Sequence, residues 1–207
     1  MNVPLSERPF NVLTVCTGNI CRSPIAEDLL RSRLQALGIQ SNVHSAGSSA
    51  LVGRGMTPEA MKVAHRYGGA GENHEARQLT QELAASADLI LTATREHRGA
   101  VVGLHPRAAR YSFTLNQFAR LVDPVLESGF LQSAALENSD GKSGRLRSFV
   151  AEVAATRGYF PPPENLMDDD IEDPYRQPWE VYERVGARVD AGVGRVVRAF
   201  AIVSGRK

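Results

Sequence analysis

The chain has 207 residues, 43% hydrophobic and 23% charged, and its 24 basic and 23 acidic side chains leave a formal charge of +1. That length and balance fit one generous domain with a real core, and no global field argues for nucleic acid or an anionic membrane surface. The opening MNVPLSERPFNV has no apolar signal core, no apolar run approaches a membrane span, and two cysteines cannot build a disulfide framework, so a reducing cytoplasm is the expected location.

In chain order, Phe10–Val15 is short, β-branched and mostly apolar, as a buried parallel strand would be. It runs into CTGNICRSP, after which Ile25, Leu29, Leu30, Leu34 and Leu37 recur at helical spacing until Gly38. Ser41–His44 reads as a weak second strand, and Thr57-Pro58 as the cap and first turn of a helix. Thr80 opens a short helix, Asp88–Thr92 is a strand, REHRGAVVGL is helical, and 109–113 is expected as a fourth strand. The end, PWEVYERVGARVDAGVGRVVRAFAIV, is a long amphipathic helix. This alternation implies an open parallel four-stranded sheet with helices on both faces and a phosphate-binding loop after the first strand. Residues 1–207 are read as one domain with an insertion at about 122–168, rich in Ser, Gly and Pro around a helix at 145–156.

Both cysteines lie in CTGNICRS, at 16 and 21. A turn from strand end to helix start aims several backbone N–H groups at one spot beside the positive helix end, which makes an anion site. Thr17 and Gly18 begin that turn, and Gly18 lets the backbone curl closely. Arg22 adds a planar fork for two oxygens of a tetrahedral oxyanion. Cys16, at the entrance, feels the same positive field, which favours its thiolate as a nucleophile toward phosphorus. A metal clip lacks further ligands, a thioredoxin-type pair would be spaced by two residues, and a Walker loop would need Gly-Lys-Ser/Thr. A buried free cysteine beside a surface arginine is the plain alternative.

VCTGNICRSPIAEDLL resembles the active-site segment of the low molecular weight protein tyrosine phosphatases. The likeness continues in SAG and ALVG (45–53), HEARQLT (74–80) and DIEDPYRQPWEVYE (170–183), and covers most of 10–118 and 168–200. It implies a metal-independent, cofactor-free phosphotyrosine hydrolase with Cys16 as nucleophile and Arg22 as phosphate clamp. Asn19, Ser23, Ser45 and His74 should then form the hydrogen-bonded shell of the loop. Cys21 should trap an oxidised Cys16 as a disulfide, and Leu51-Val52 and Tyr175 should wall the mouth. Relatives specialised for phosphoarginine tend to carry Thr where this chain has Ile20, which leans toward phosphotyrosine. A phosphotyrosine-bearing protein, including a cognate tyrosine kinase, is the implied partner.

Departure of a phenolate needs an acid. Asp123 and Asp173 both precede proline, and distance from Cys16 in an insertion-free family member would favour Asp123. Asp173 is preferred because Tyr175 and the terminal helix follow it as they follow the acid loop of the resembled family, and Asp123-Pro124 reads as a helix stop. Asp168-Asp169-Asp170 reads as a solvated acidic loop, and Arg145, Arg147 and Arg157 as a solvated helix face. His44, His65, His97 and His105 are expected to be surface or satisfied residues. Two rivals stand: a thiol-coupled arsenate reductase, which would need cysteines beyond Cys21, and a phosphate-binding module without turnover. The insertion could cover the pocket, hold Asp173 back, or form an interaction surface.

Overall fold

The computed structural model describes residues 8–70 and 73–205. At its centre is β1 (Phe10–Cys16), buried almost throughout because helices cover both faces. Its side chains alternate between two cores: Phe10 and Val12 join the larger, Leu13 and Val15 the smaller. The strands β2 (Ser41–Gly47), β3 (Leu89–Thr92) and β4 (Ser112–Thr114) complete a parallel sheet in the order β2-β1-β3-β4.

On the large-core face lie α1 (Arg22–Ala36) and α2 (Pro58–Arg66); α3 (Gln81–Ser86) and α4 (Arg95–Leu104) cover the other. The large core also takes α5 (Leu115–Glu127), the short α6 (Ala134–Glu137), α7 (Gly141–Thr156) and α8 (Trp179–Val203). Threonines start four of these helices: Thr57, Thr80, Thr94 and Thr114 each accept a first-turn backbone N–H on the side-chain oxygen. Among the described residues, no helix is long and apolar enough to cross a membrane.

Three expectations need correction. The fourth strand is Ser112–Thr114, not 109–113, because Pro106–Arg110 winds into a 3-10 helix that buries Ala108 in the smaller core. Asp123-Pro124 does not stop a helix: α5 continues to Glu127. Proline removes only one N–H from the ladder, and Leu121, Val122 and Val125, all buried, keep the last turns packed.

Arg145, Arg147 and Arg157 do not form a solvated face. Arg145 Nε donates to the Val203 carbonyl at 2.7 Å, at the end of α8. Arg147 reaches Asp88 at 2.9 Å and the Arg8 and Pro9 carbonyls, below the start of β1. Arg157 donates to the Ser112 carbonyl at 2.9 Å and lies 4.0 Å over the Phe113 ring; burial and then Arg98 push it down to about 10. Phe149 of α7 meets Phe118 and Phe200 edge to face, so this segment shares the main core.

Candidate active site

The loop between β1 and α1 is shaped by its carbonyls. Cys16 O, Thr17 O, Gly18 O and Ile20 O accept outward from the N–H groups of Ser48, Ser49, Leu51 and Thr57, at 2.9–3.0 Å. The Asn19 carbonyl points outward too, meeting His74 Nε2 at 2.6 Å. In a planar trans peptide the N–H runs opposite to the C=O, so the loop's N–H groups face inward. The close wrap requires Gly47, where a Cβ would collide with the Thr17 carbonyl oxygen and lie 2.9 Å from Ala50 Cα.

Asn19 holds the turn in a left-handed conformation (φ 56°), which asparagine tolerates. Its amide donates to Ser23 Oγ at 2.9 Å and Ser45 Oγ at 2.7 Å, and its oxygen accepts Arg77 N–H at 2.9 Å. Ser45 donates onward to Glu27, a contact sequence reasoning missed although Glu27 lies one helical turn past Ser23. Ser23 Oγ ends this chain 3.0 Å from Cys16 Sγ. Ser23 is thus part of the loop shell, and α1 has no side-chain cap.

Arg22 is 5% exposed at the start of α1. Its Nη1 donates to the Ile171 carbonyl at 3.0 Å, and its Nη2 to Asp173 Oδ2 at 2.6 Å and Thr17 Oγ1 at 3.3 Å. The Nε is buried with no partner among the described residues. Asp173 is presented by a loop tied to the end of β3, where Ile171 N–H donates to Ala93 O, and its other oxygen accepts Tyr175 N–H.

The supposed acidic loop is a set of anchors for that segment. Asp170 accepts the Arg95 N–H at 2.8 Å at the start of α4 and pairs with the Arg95 side chain; Asp169 is buried against Arg120. Only Asp168 fits the solvated reading, at 59% side-chain exposure.

These groups enclose a cavity of about 170 Å³ lined by Cys16, Thr17, Gly18, Ile20, Cys21, Arg22, Ser49, Leu51, Asp173 and Tyr175. Cys16, Arg22 and Asp173 therefore share one cavity, with Leu51 and Tyr175 part-exposed at its rim. Ser49 was not anticipated. Val52 borders a separate cavity behind the loop, with His74 and Arg77, and Asp123 lies on α5 away from both. Cys21 Sγ sits 3.6 Å from Thr57 Oγ1 and 3.9 Å from Tyr182 OH, and burial pushes its thiol up to about 11. His97 is the satisfied rather than the surface case among the other histidines: it is 5% exposed and meets Thr17 Oγ1 at 2.9 Å.

Residues 11–124 match the model of the low molecular weight phosphotyrosine protein phosphatases. The chain is 40% identical over 128 residues to the low molecular weight protein-tyrosine-phosphatase Etp of Escherichia coli K12, covering 60% of this chain and 84% of Etp. It is 38% identical over 109 residues to the protein-arginine-phosphatase of Bacillus subtilis, covering 53% and 72%. The fold is that of the low molecular weight protein tyrosine phosphatase of T. tengcongensis, at TM-score 0.64 and 27% identity over 91% of this chain and 98% of that one. The tyrosine phosphatase AmsI of Erwinia amylovora shares it at TM-score 0.63 over 93% of each chain. With that family match over more than half its length, the chain belongs to the low molecular weight phosphotyrosine protein phosphatases, a family of cysteine-dependent enzymes.

Proposed function

We propose that the protein hydrolyses phosphotyrosine in proteins through a cysteinyl-phosphate intermediate, with Cys16 as nucleophile, Arg22 as phosphate clamp and Asp173 as the acid. The convergence of Cys16, Arg22 and Asp173 on one cavity carries the reading. Cys16 Sγ attacks phosphorus while the loop N–H groups and the Arg22 fork hold the three non-bridging oxygens. Asp173 passes a proton to the departing phenolate oxygen, then takes one from the water that attacks the cysteinyl phosphate, releasing phosphate and regenerating the thiolate. Ser23, donating to Cys16 Sγ, stabilises the thiolate as attacking and as leaving group; Asn19, Ser45 and His74 hold it there.

The substrate is a phosphotyrosine-bearing protein, and a cognate cytoplasmic tyrosine kinase is a fitting one. Leu51, Tyr175 and Ile20 give the cavity apolar walls suited to a flat ring. The B. subtilis relative is named for arginine phosphate, so substrate choice has to be tested directly. An arsenate reductase of the thiol-coupled kind passes its disulfide to a downstream cysteine, and this sequence has none after Cys21. The chain is read as one phosphatase domain, and residues 122–168 as an insertion that braces the core; none of them lines the catalytic cavity.

Hydrolysis of an aryl phosphate in reductant and EDTA, by wild type and Cys16→Ser, tests the reading. Turnover in wild type that vanishes in the mutant is expected. A wild type that binds phosphate without turnover would make this a binding module. Phosphotyrosine and phosphoarginine peptides, assayed side by side, test the substrate, with phosphotyrosine expected to be preferred and Ile20→Thr expected to narrow the gap.

A further inference from the structure

His97 is a buried histidine whose two ring nitrogens both meet hydroxyls. Nδ1 lies 2.6 Å from Thr94 Oγ1 and Nε2 lies 2.9 Å from Thr17 Oγ1. Each hydroxyl also accepts from a fixed donor: Thr94 from the His97 backbone N–H at 3.3 Å, Thr17 from Arg22 Nη2 at 3.3 Å. Each hydroxyl therefore still has one proton to give, and a neutral imidazole can accept only one of them. The other hydroxyl must accept the ring N–H and keeps a free proton. Thr17 is the one that lines the catalytic cavity, where a phosphoryl oxygen would receive that proton.

We propose that His97 is a positioning residue for the anion loop: its Nε2–H donates to Thr17 Oγ1, which turns the Thr17 hydroxyl proton toward the substrate phosphoryl group and steadies Arg22 beside it. The inference rests on the phosphatase reading of this cavity and adds to it a link from the start of α4 to the phosphate clamp. Burial, and then the Arg22 charge, push the imidazole down to about 4, so the ring is neutral at neutral pH. In the proposed tautomer Nδ1 accepts from the hydroxyl of Thr94, the residue that caps α4. A threonine cap and a histidine three residues on would then set the hydrogen-bond direction at the loop.

The test uses the full chain and inorganic phosphate as the probe. Wild type, His97→Ala, His97→Gln, His97→Asn, Thr17→Val and the His97→Ala/Thr17→Val double variant are compared for kcat, KM, phosphate inhibition constant and melting temperature. The glutamine amide nitrogen can stand where Nε2 stands, and the asparagine amide reaches only the Nδ1 position. Expected are a roughly tenfold weakening of phosphate and loss of kcat/KM in His97→Ala and His97→Asn, recovery in His97→Gln, and no added loss from His97→Ala once Thr17 is valine. Equal loss from His97→Ala in both backgrounds would overturn the proposal, as would glutamine behaving like asparagine. If His97→Ala does not fold, the glutamine–asparagine comparison with Thr17→Val still decides. Absence of turnover in wild type would refute the phosphatase reading; phosphate affinity by calorimetry would still report on His97.

Discussion

Arg22 and Asp173 are joined by a 2.6 Å ion pair in which the arginine is buried and the carboxylate half-exposed. The carboxylate holds Arg22 Nη2. In the proposed mechanism a phosphoryl group would compete with it for this guanidinium, and substrate entry would release Asp173 toward the leaving group. Because Asp173 is open to water, the pair itself contributes little to stability.

Asp173→Asn separates these roles. Removing the competing charge should tighten inorganic phosphate by about threefold, the scale of a solvent-exposed pair. Turnover of a phenyl or tyrosyl phosphate should fall by about a hundredfold or more, and much less for an activated leaving group that needs no acid. Asp123→Asn should match wild type in both assays. Tighter phosphate with undiminished phenyl phosphate turnover would remove Asp173 from the acid role.

The His97 environment makes a pH prediction for stability. Its folded-state value is about 4 against 6.5 when free, because burial and Arg22 oppose the charge more than Asp173 and Asp170 favour it. Between those values the unfolded chain binds a proton that the folded chain does not. Stability should fall as pH drops from 6.5 toward 4, with no further change from this group below that. The contribution between pH 7 and pH 5 is at most about 2 kcal/mol, at 1.36 kcal/mol per unit. Urea unfolding at the two pH values, in wild type and His97→Gln, checks it: the variant should lose less stability on acidification.

The sheet and the loop were legible because their signals are local. Phe10–Val15 carries a buried-strand pattern, and CTGNICRS holds Cys16 and Arg22, the proposed nucleophile and clamp, within seven residues. The helix through Asp123-Pro124 was not, since its persistence depends on Leu121, Val122 and Val125 meeting partners far along the chain. Arg147 looked solvated because Asp88, 59 residues away, is invisible to any local pattern. His97 was missed for the same reason: the loop residue it touches is 80 positions earlier. The acidic triplet shows the limit of composition, since two of its three carboxylates serve as anchors, Asp169 buried and Asp170 partly so.

Arg147 joins α7 to the beginning of the sheet. The side chain of its partner Asp88 is only 8% exposed and also accepts Asn11 N–H at 2.9 Å and Arg8 at 3.2 Å. Arg147→Met keeps the stem and removes the charge, leaving a buried carboxylate short of a donor. A loss of about 1–3 kcal/mol in urea unfolding is expected, with kcat and KM unchanged because the contact lies at the opposite end of β1 from Cys16. A fall in kcat without loss of stability would instead connect the insertion to catalysis.

Cys16 and Cys21 line the same cavity in different surroundings, which makes a redox prediction. Cys21 is buried beside Thr57 and Tyr182 and stays a thiol up to about pH 11, which makes it a poor first target for peroxide. Peroxide should therefore convert Cys16 to the sulfenic acid. Attack by Cys21 sulfur on the Cys16 sulfur then forms the disulfide and releases water, the hydroxyl leaving Cys16 with the Cys21 proton. The disulfide blocks further oxidation, so activity should return with dithiothreitol. In Cys21→Ser no partner thiol is present, and the same exposure should leave most of the activity unrecoverable through sulfinic acid. Mass spectrometry of peroxide-treated wild type should find one intramolecular disulfide and loss of two hydrogens. Equal recovery in both proteins, with no disulfide in wild type, would assign Cys21 to packing beneath the loop.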